Sequence, residues 1–145
     1  ISASRIVPLA NPTKPVGETA NFLLLEQYLL EGMAGSHELM LEVIETFIEQ
    51  CPSLLNQLNS AIQDSNFQNL KEQAHTLKGA SSNFGVHDLV EKLQALEDLG
   101  NSGHTEGANA LFYAVQIQVD KLRVDLQKIK NKNSIWYSTK YGYKT

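Results

Sequence analysis

The sequence predicts an all-α protein, an antiparallel four-helix bundle with a short N-terminal cap helix. Four segments repeat apolar residues at spacings of three and four, the period of a helix that buries one face. Turns that carry glycine or asparagine separate these segments, and no strand-like alternation of useful length occurs before residue 131. Helices joined by short turns pack side by side with their apolar stripes facing inward, so this pattern favours a bundle.

The N-terminal part divides into a linker and the cap helix. Residues 1–20 contain all the prolines but one, together with Gly17, and show little apolar periodicity. Such a composition is typical of a linker or extended arm. The apolar cluster that follows, residues 22–33, predicts a short helix closed by Gly32 and Gly35.

The second helix is predicted to begin at Ser36, a residue type that caps helix N-termini. Its stripe runs from Met40 to Ile62 and keeps its phase across Pro52. Proline removes one backbone donor, so we expect a kink there and a single bent helix rather than two helices.

The third helix is predicted to open with a capping box formed by Ser65 and Gln68. Gly85 suits the left-handed residue that ends it. Its apolar stripe contains Phe67, Leu70, Ala74, Leu77, Ser81 and Phe84.

Two further stripes complete the bundle. The first runs over residues 86–99 and is stopped by Gly100, and the second runs over residues 108–129. The bundle domain is therefore expected to span residues 21–131. Residues 132–145 show no usable period, and we assign them to a C-terminal tail of unknown role.

Composition restricts the class of protein. The 145 residues carry a net charge of −4, which argues against nucleic acid as the main partner. The lone Cys51 excludes a disulfide framework, and no apolar run approaches the roughly 18 residues of a membrane span. We therefore expect a single cytoplasmic domain, monomeric and not inserted in a membrane. The first residue is Ile1 rather than Met, so we expect a piece of a longer protein.

The third helix also carries a cluster of residue types suited to chemistry. His75 falls outside the apolar stripe, and Lys71, Lys78, Gly79 and Ser82 share its face at offsets of −4, +3, +4 and +7. A neutral imidazole is a competent nucleophile near pH 7, and an ammonium group offsets the charge of a phosphoryl group. The remaining histidines, without comparable neighbours, are interpreted as ordinary surface residues: His37, His87 and His104.

Glycine in a helix interior costs roughly 1 kcal/mol relative to alanine. At Gly79 that cost is understandable if a side chain would block a partner that approaches His75. Ser82 and Asn83 could add hydrogen bonds to a group carried there.

The run from Ala74 to Gly85 resembles the signature of histidine-containing phosphotransfer (HPt) domains. That signature has a histidine, lysine at +3, glycine at +4, small residues after it, and glycine at +10, and every position is filled here. The resemblance extends over about residues 22–130 and includes Pro52 in the helix before the histidine.

The resemblance implies a carrier in a phosphorelay of two-component signalling. Such domains accept a phosphoryl group from the aspartate of a response-regulator receiver domain and pass it to the aspartate of another receiver. They have no ATP site or autokinase activity and bind no cofactor, while Mg²⁺ is held by the receiver. By position, His75 would be the acceptor through Nε2, Lys78 would stabilise the phosphoryl group, and Gly79 would give the receiver access.

The resemblance also bears on Glu97, which lies 22 residues after His75. Some family members place a side chain there that holds the other ring nitrogen, and a carboxylate would fix the tautomer. An ordinary exposed glutamate is the other interpretation. The receiver is expected to contact further residues around the histidine, and Leu70 if it is not fully buried: Lys71, Ser82, Asn83, Phe84, Gly85 and Val86.

Alternatives from other classes remain open. Glu72 and His75 form a Glu-x-x-His pair of the kind used by di-iron bundles, although no second pair exists in the sequence. A docking or dimerisation bundle without phosphotransfer is the other alternative. The carrier itself could be free-standing or the C-terminal module of a hybrid sensor kinase, attached to the cytosolic side of a membrane protein.

Overall fold

The computed structural model describes the backbone of residues 15–141 and the side chains of residues 22–134. This part of the chain contains helices and no strand, which confirms the predicted all-α fold. The helices are α1 (Pro15–Gly32), α2 (His37–Gln63), α3 (Phe67–Ser82), α4 (His87–Ser102) and α5 (Ala108–Tyr141).

Helices α2 to α5 form the bundle, with α3 packed most extensively on α4. Helix α2 lies against α3 and α5, and α4 lies against α5, so the four helices close into a ring. Helix α1 packs on α5 and α2, as expected of a cap helix. No helix among the described residues is long and apolar enough to cross a membrane.

The core consists of the apolar stripes predicted for α2 to α5. Phe47 and Phe84 meet edge to face, with ring centroids 4.8 Å apart. Cys51 lies in this core, and burial raises the pKa of its thiol to about 11. The thiol therefore stays protonated at neutral pH and serves as a small apolar side chain.

Helix α1 begins at Pro15 rather than near residue 22, so residues 15–20, predicted as an extended segment, are helical. Proline suits the first turn of a helix because its missing N–H would have no partner there. The rest of the predicted linker lies outside the described residues.

At the start of α2 and α3, one predicted cap is confirmed and one is wrong. Ser36 caps α2 by accepting from the backbone N–H of Leu39, and α2 continues through Pro52 as one helix. The cap of α3 is Asn66, whose side chain accepts from the N–H of Asn69. Ser65 has φ +53°, a left-handed conformation that is incompatible with the extended backbone of a cap residue.

The prediction that Gly100 stops α4 is wrong, because this glycine lies buried inside the helix. A Cβ atom at this position would lie 2.7 Å from the backbone nitrogen of Lys71 and 2.8 Å from the carbonyl oxygen of Phe67. The glycine is therefore required for the close approach of α3 and α4. Helix α4 ends instead at Ser102, and Gly103, with φ +73°, provides the left-handed cap.

Helix α5 continues to Tyr141, past the predicted domain boundary at residue 131. Asn133 is buried, so residues 132–134 extend the bundle rather than begin a tail. Periodicity missed this turn because a polar residue occupies its inward position. The side chains of residues 135–145 lie outside the described part.

Candidate functional site

His75 lies on the solvent-facing side of α3. Leu70, Ala74 and Leu77 are buried and direct the opposite face of the helix into the core. The His75 side chain is consequently 67% exposed. The sequence predicted this orientation from the phase of the stripe, and the structure confirms it.

The close packing of α3 on α4 determines what His75 meets. Because the helices run antiparallel, the contact of Lys71 with Gly100 is followed one turn along α3 by a contact of His75 with Glu97. Nδ1 of His75 lies 3.1 Å from Oε2 of Glu97. The Glu97 side chain is only 13% exposed, so its position is well defined by packing.

The charge of Glu97 determines the tautomer of His75. The contact with the Lys78 ammonium is the main cause that lowers the pKa of Glu97 from its usual 4.5. The positive charge of Lys78 and the contact with His75 lower this pKa further, and desolvation of the carboxylate opposes the shift. An ionised carboxylate can only accept, so Nδ1 carries the proton. In the neutral ring the lone pair is then on Nε2. No side chain among residues 22–134 makes a hydrogen bond to Nε2.

Lys78 is held on the α4 side of the histidine by two acceptors. Its Nζ lies 2.9 Å from Oε1 of Glu97 and 2.6 Å from Oε1 of Gln94. Gln94 in turn donates from Nε2 to Oδ1 of Asp98 at 2.9 Å. Glu97 therefore joins the imidazole to the ammonium, and Gln94 gives the ammonium a second, neutral contact.

Gly79 lies exposed on the same face, one turn after His75. A Cβ atom at this position would have no other group within 4 Å. The glycine is therefore not needed for helix packing, in contrast to Gly100. Its effect is to leave a low surface beside the imidazole.

The sequence model of the Hpt domain family matches residues 42–125, which include the whole of α3 and α4. The chain belongs to the Hpt family. Hpt domains carry out histidine phosphotransfer in phosphorelays, and the resemblance seen in the run from Ala74 to Gly85 is thus confirmed.

A solved structure supports the fold of this Hpt domain. It is similar to histidine-containing phosphotransfer protein B (HptB) from Pseudomonas aeruginosa PAO1, with a TM-score of 0.67 and 24% sequence identity. The similarity covers 73% of this chain and 92% of that protein. No curated protein matches the chain in sequence.

Two residues predicted to touch a receiver are unsuited to that role in this Hpt domain. Phe84 is 2% exposed and packs on Phe47, and Leu70 is fully buried. The apolar stripe of the third helix already included Phe84, and this membership, rather than its closeness to His75 in the sequence, determines its burial. Tyr28 of α1 occupies this surface instead, since its ring would lie 2.9 Å from a Cβ atom on Gly85.

The other predicted contact residues lie at or near the surface of the Hpt domain. Lys71 lines the same shallow hollow as His75 and Glu97. Ser82 and Asn83 are exposed, but both bond to the backbone of α3: the Ser82 hydroxyl donates to the Lys78 carbonyl at 2.8 Å. Gly85 has φ +67°, and Val86 is half-buried at the start of α4.

His37 has a partner network that the sequence did not reveal. Its Nδ1 lies 2.8 Å from Oδ1 of Asn133, whose Nδ2 donates to Oε2 of Glu26. His37 and Asn133 are 96 residues apart in the sequence, and no local sequence pattern predicts their contact. His87 and His104 are exposed, as predicted.

The described part of the Hpt domain contains no second set of ligands that a di-iron site would need. Residues 22–134 contain no group of three or more histidine, cysteine, aspartate or glutamate side chains placed to hold a metal ion. Glu72 instead accepts a hydrogen bond from Gln68 at 2.6 Å.

Proposed function

We propose that this Hpt domain accepts a phosphoryl group on Nε2 of His75 from a receiver-domain aspartate and passes it to the aspartate of another receiver. The hydrogen bond between Nδ1 and Glu97 supports this proposal most directly, since it leaves the lone pair of an exposed ring on Nε2. The same site would serve a free-standing carrier or the C-terminal module of a hybrid sensor kinase.

In the accepting step, the Nε2 lone pair attacks phosphorus in line with the aspartyl oxygen. The N–P bond forms as the O–P bond breaks, and the aspartate leaves as a carboxylate with the electron pair. The ring becomes positively charged, and the Glu97 carboxylate at Nδ1 stabilises that charge. Transfer to the next receiver is the reverse of this step. The Mg²⁺ for both steps would be bound by the carboxylates of the receiver.

Lys78 and Gly79 would assist from either side of the ring. The Lys78 ammonium has three N–H donors, donates one of them to Gln94 and forms an ion pair with Glu97. It therefore keeps a donor for a phosphoryl oxygen. Gly79 leaves room for the receiver, which must bring its aspartate within bonding distance of Nε2.

The receiver is proposed to dock around His75 on the C-terminal part of α3. Ser82, Asn83 and Val86 provide polar and half-buried contacts there. Tyr28, which is 50% exposed, provides the apolar contact that the sequence predicted at Phe84. We expect a modest interface, because a carrier must release each partner.

Phosphoryl transfer from a receiver tests the proposal. The chain is mixed with each of a panel of phosphorylated receiver domains and Mg²⁺, and phosphate that is acid-labile and alkali-stable is measured. We expect labelling of the wild type and complete loss in His75→Gln, with the free energy of unfolding changed by less than about 0.5 kcal/mol because the side chain is exposed.

His87→Gln and His104→Gln are matched controls that remove exposed histidines elsewhere, and both should label normally. Labelling that persists in His75→Gln would contradict the proposal. A folded wild type that accepts phosphate neither from any receiver nor from phosphoramidate, a small phosphoryl donor, would favour the docking bundle instead.

A further inference from the structure

The Lys78 ammonium is the group in this site whose position depends most on its neighbours. Lysine carries its charge on a flexible four-carbon stem and pays an entropic cost when it is held in one place. Here both of its contacts come from α4, at 2.6 Å from Gln94 and 2.9 Å from Glu97. The Lys78 side chain is 20% exposed, so the ammonium sits partly sheltered beside the histidine.

The two acceptors differ in what a phosphoryl group would do to them. Glu97 is shared, since one oxygen faces Lys78 and the other faces Nδ1 of His75. The anionic oxygens of a phosphoryl group on Nε2 would compete with this carboxylate for the ammonium. Gln94 is neutral, so it holds the ammonium without cancelling the charge that the phosphoryl group needs.

The orientation of the Gln94 amide is itself determined by a neighbour. Its Nε2 donates to Oδ1 of Asp98 at 2.9 Å, and this contact requires Oε1 to face Lys78. A reversed amide would present N–H groups to the ammonium and lose both contacts. Asp98, Gln94 and Lys78 therefore form a directed chain that ends beside His75.

We propose that Gln94 is a positioning residue for phosphoryl transfer, which holds the Lys78 ammonium where it can bind the phosphoryl oxygens on His75. This inference rests on the proposed function. It predicts that the lifetime of the phosphorylated domain depends on Gln94, and that this dependence acts through Lys78.

A double-mutant cycle on that lifetime tests the inference. Wild type, Gln94→Leu, Lys78→Ala and the double variant are phosphorylated with phosphoramidate, and the first-order loss of phosphohistidine is followed. We expect Gln94→Leu to speed the loss roughly three- to ten-fold, the range of one hydrogen bond. Lys78→Ala should speed it at least as much, and the double variant should match Lys78→Ala.

Gln127→Leu is the matched control. Gln127 also donates to a side chain four residues later, Asn131, but it lies on α5 outside the site, so its loss should leave the lifetime unchanged. Thermal unfolding shows whether Gln94→Leu is folded. If it is not, Asp98→Ala removes only the contact that orients the Gln94 amide, and it should also speed the loss of phosphohistidine, but less.

An unchanged lifetime in Gln94→Leu would overturn the inference. The inference would also be overturned if Gln94→Leu accelerated the loss of phosphohistidine equally in the wild type and in Lys78→Ala. That result would indicate a structural effect that does not act through the Lys78 ammonium. Failure of the proposed function gives a different result, because the wild type would then carry no phosphate on His75.

Discussion

Two histidines of this domain make the same kind of hydrogen bond with different consequences. Nδ1 of His75 meets Glu97 across α3 and α4, and Nδ1 of His37 meets Asn133 across α2 and α5. The first pair lies at a surface where the ring is 67% exposed. In the second pair, Asn133 is only 2% exposed. The hydrogen bond thus orients a ring in both places, but the His75 ring is exposed to a partner, whereas the half-buried His37 ring is bonded to a buried side chain.

The buried network connects three helices. Asn133 donates to the Glu26 carboxylate and to the carbonyl of Ile129, each at 2.8 Å, and Lys132 adds a contact of 2.5 Å to Glu26. Because Nδ2 of Asn133 acts as a donor, its oxygen accepts from His37. These bonds fasten α1 and the start of α2 to α5, so we interpret the His37 network as structural.

Asn133→Leu should have the largest effect on stability. It leaves the buried Glu26 carboxylate and the His37 ring each without one partner, and the free energy of unfolding should fall by about 2–3 kcal/mol. Urea unfolding measures this change. Phosphorylation of His75 by phosphoramidate should be unaffected, because the two networks share no residue.

The exposed neighbour Asn131 provides the control for this change. Asn131→Leu should alter the free energy of unfolding by less than about 0.5 kcal/mol. If Asn133→Leu lowered the free energy of unfolding as little as Asn131→Leu, or reduced the phosphorylation of His75, the distinction between a structural His37 and a reactive His75 would be contradicted.

Glu97→Ala should have the opposite profile. The ring loses the acceptor that fixes its tautomer, and phosphoryl acceptance from a receiver should slow about ten-fold, equivalent to about 1.4 kcal/mol in the barrier. Stopped-flow or quench-flow transfer assays measure the rate. Glu91→Ala, an exposed glutamate on the same helix, is the control, and an unchanged rate in Glu97→Ala would exclude a role for the carboxylate.

The smallest expected effect is a pH dependence of stability. The pKa of Glu97 is lower in the folded domain than its usual 4.5, because Lys78 and His75 favour the ionised form. The carboxylate therefore stabilises the fold above that usual pKa, and its contribution is lost as the pH falls through the lowered value.

The comparison of wild type with Glu97→Gln isolates this contribution. The difference in unfolding free energy should amount to less than about 1 kcal/mol at about pH 5 and shrink as the pH falls below the usual pKa of 4.5. Urea titrations at several pH values measure it. A difference that grows as the pH falls below 4.5 would contradict the lowered pKa of Glu97.

Much of the fold and part of the site could be predicted from local spacing. The stripes of α2 to α5 repeat with the helical period, and His75, Lys78 and Gly79 lie within two turns of one helix, so a helical wheel places them together. The resemblance to HPt domains added Glu97, which no wheel could bring to His75 from another helix.

What could not be predicted depends on contacts between helices. The position of Gln94 beside Lys78 follows from the register of α3 on α4, which is determined by the close approach at Gly100. That glycine looked like a helix terminator, because the sequence alone does not distinguish a stop from a close contact. The pairing of His37 with Asn133 joins residues that lie 96 positions apart in the sequence and has no sequence signal.

The position of the phosphoryl group on the imidazole tests the central claim most directly. The domain, labelled with ¹⁵N in its histidine rings, is phosphorylated and examined by ¹⁵N and ³¹P NMR. We predict phosphorus bonded to Nε2 of His75 and a proton retained on Nδ1, as the contact with Glu97 requires. Phosphorus bonded to Nδ1 of His75, or to a ring nitrogen of any other histidine, would contradict it.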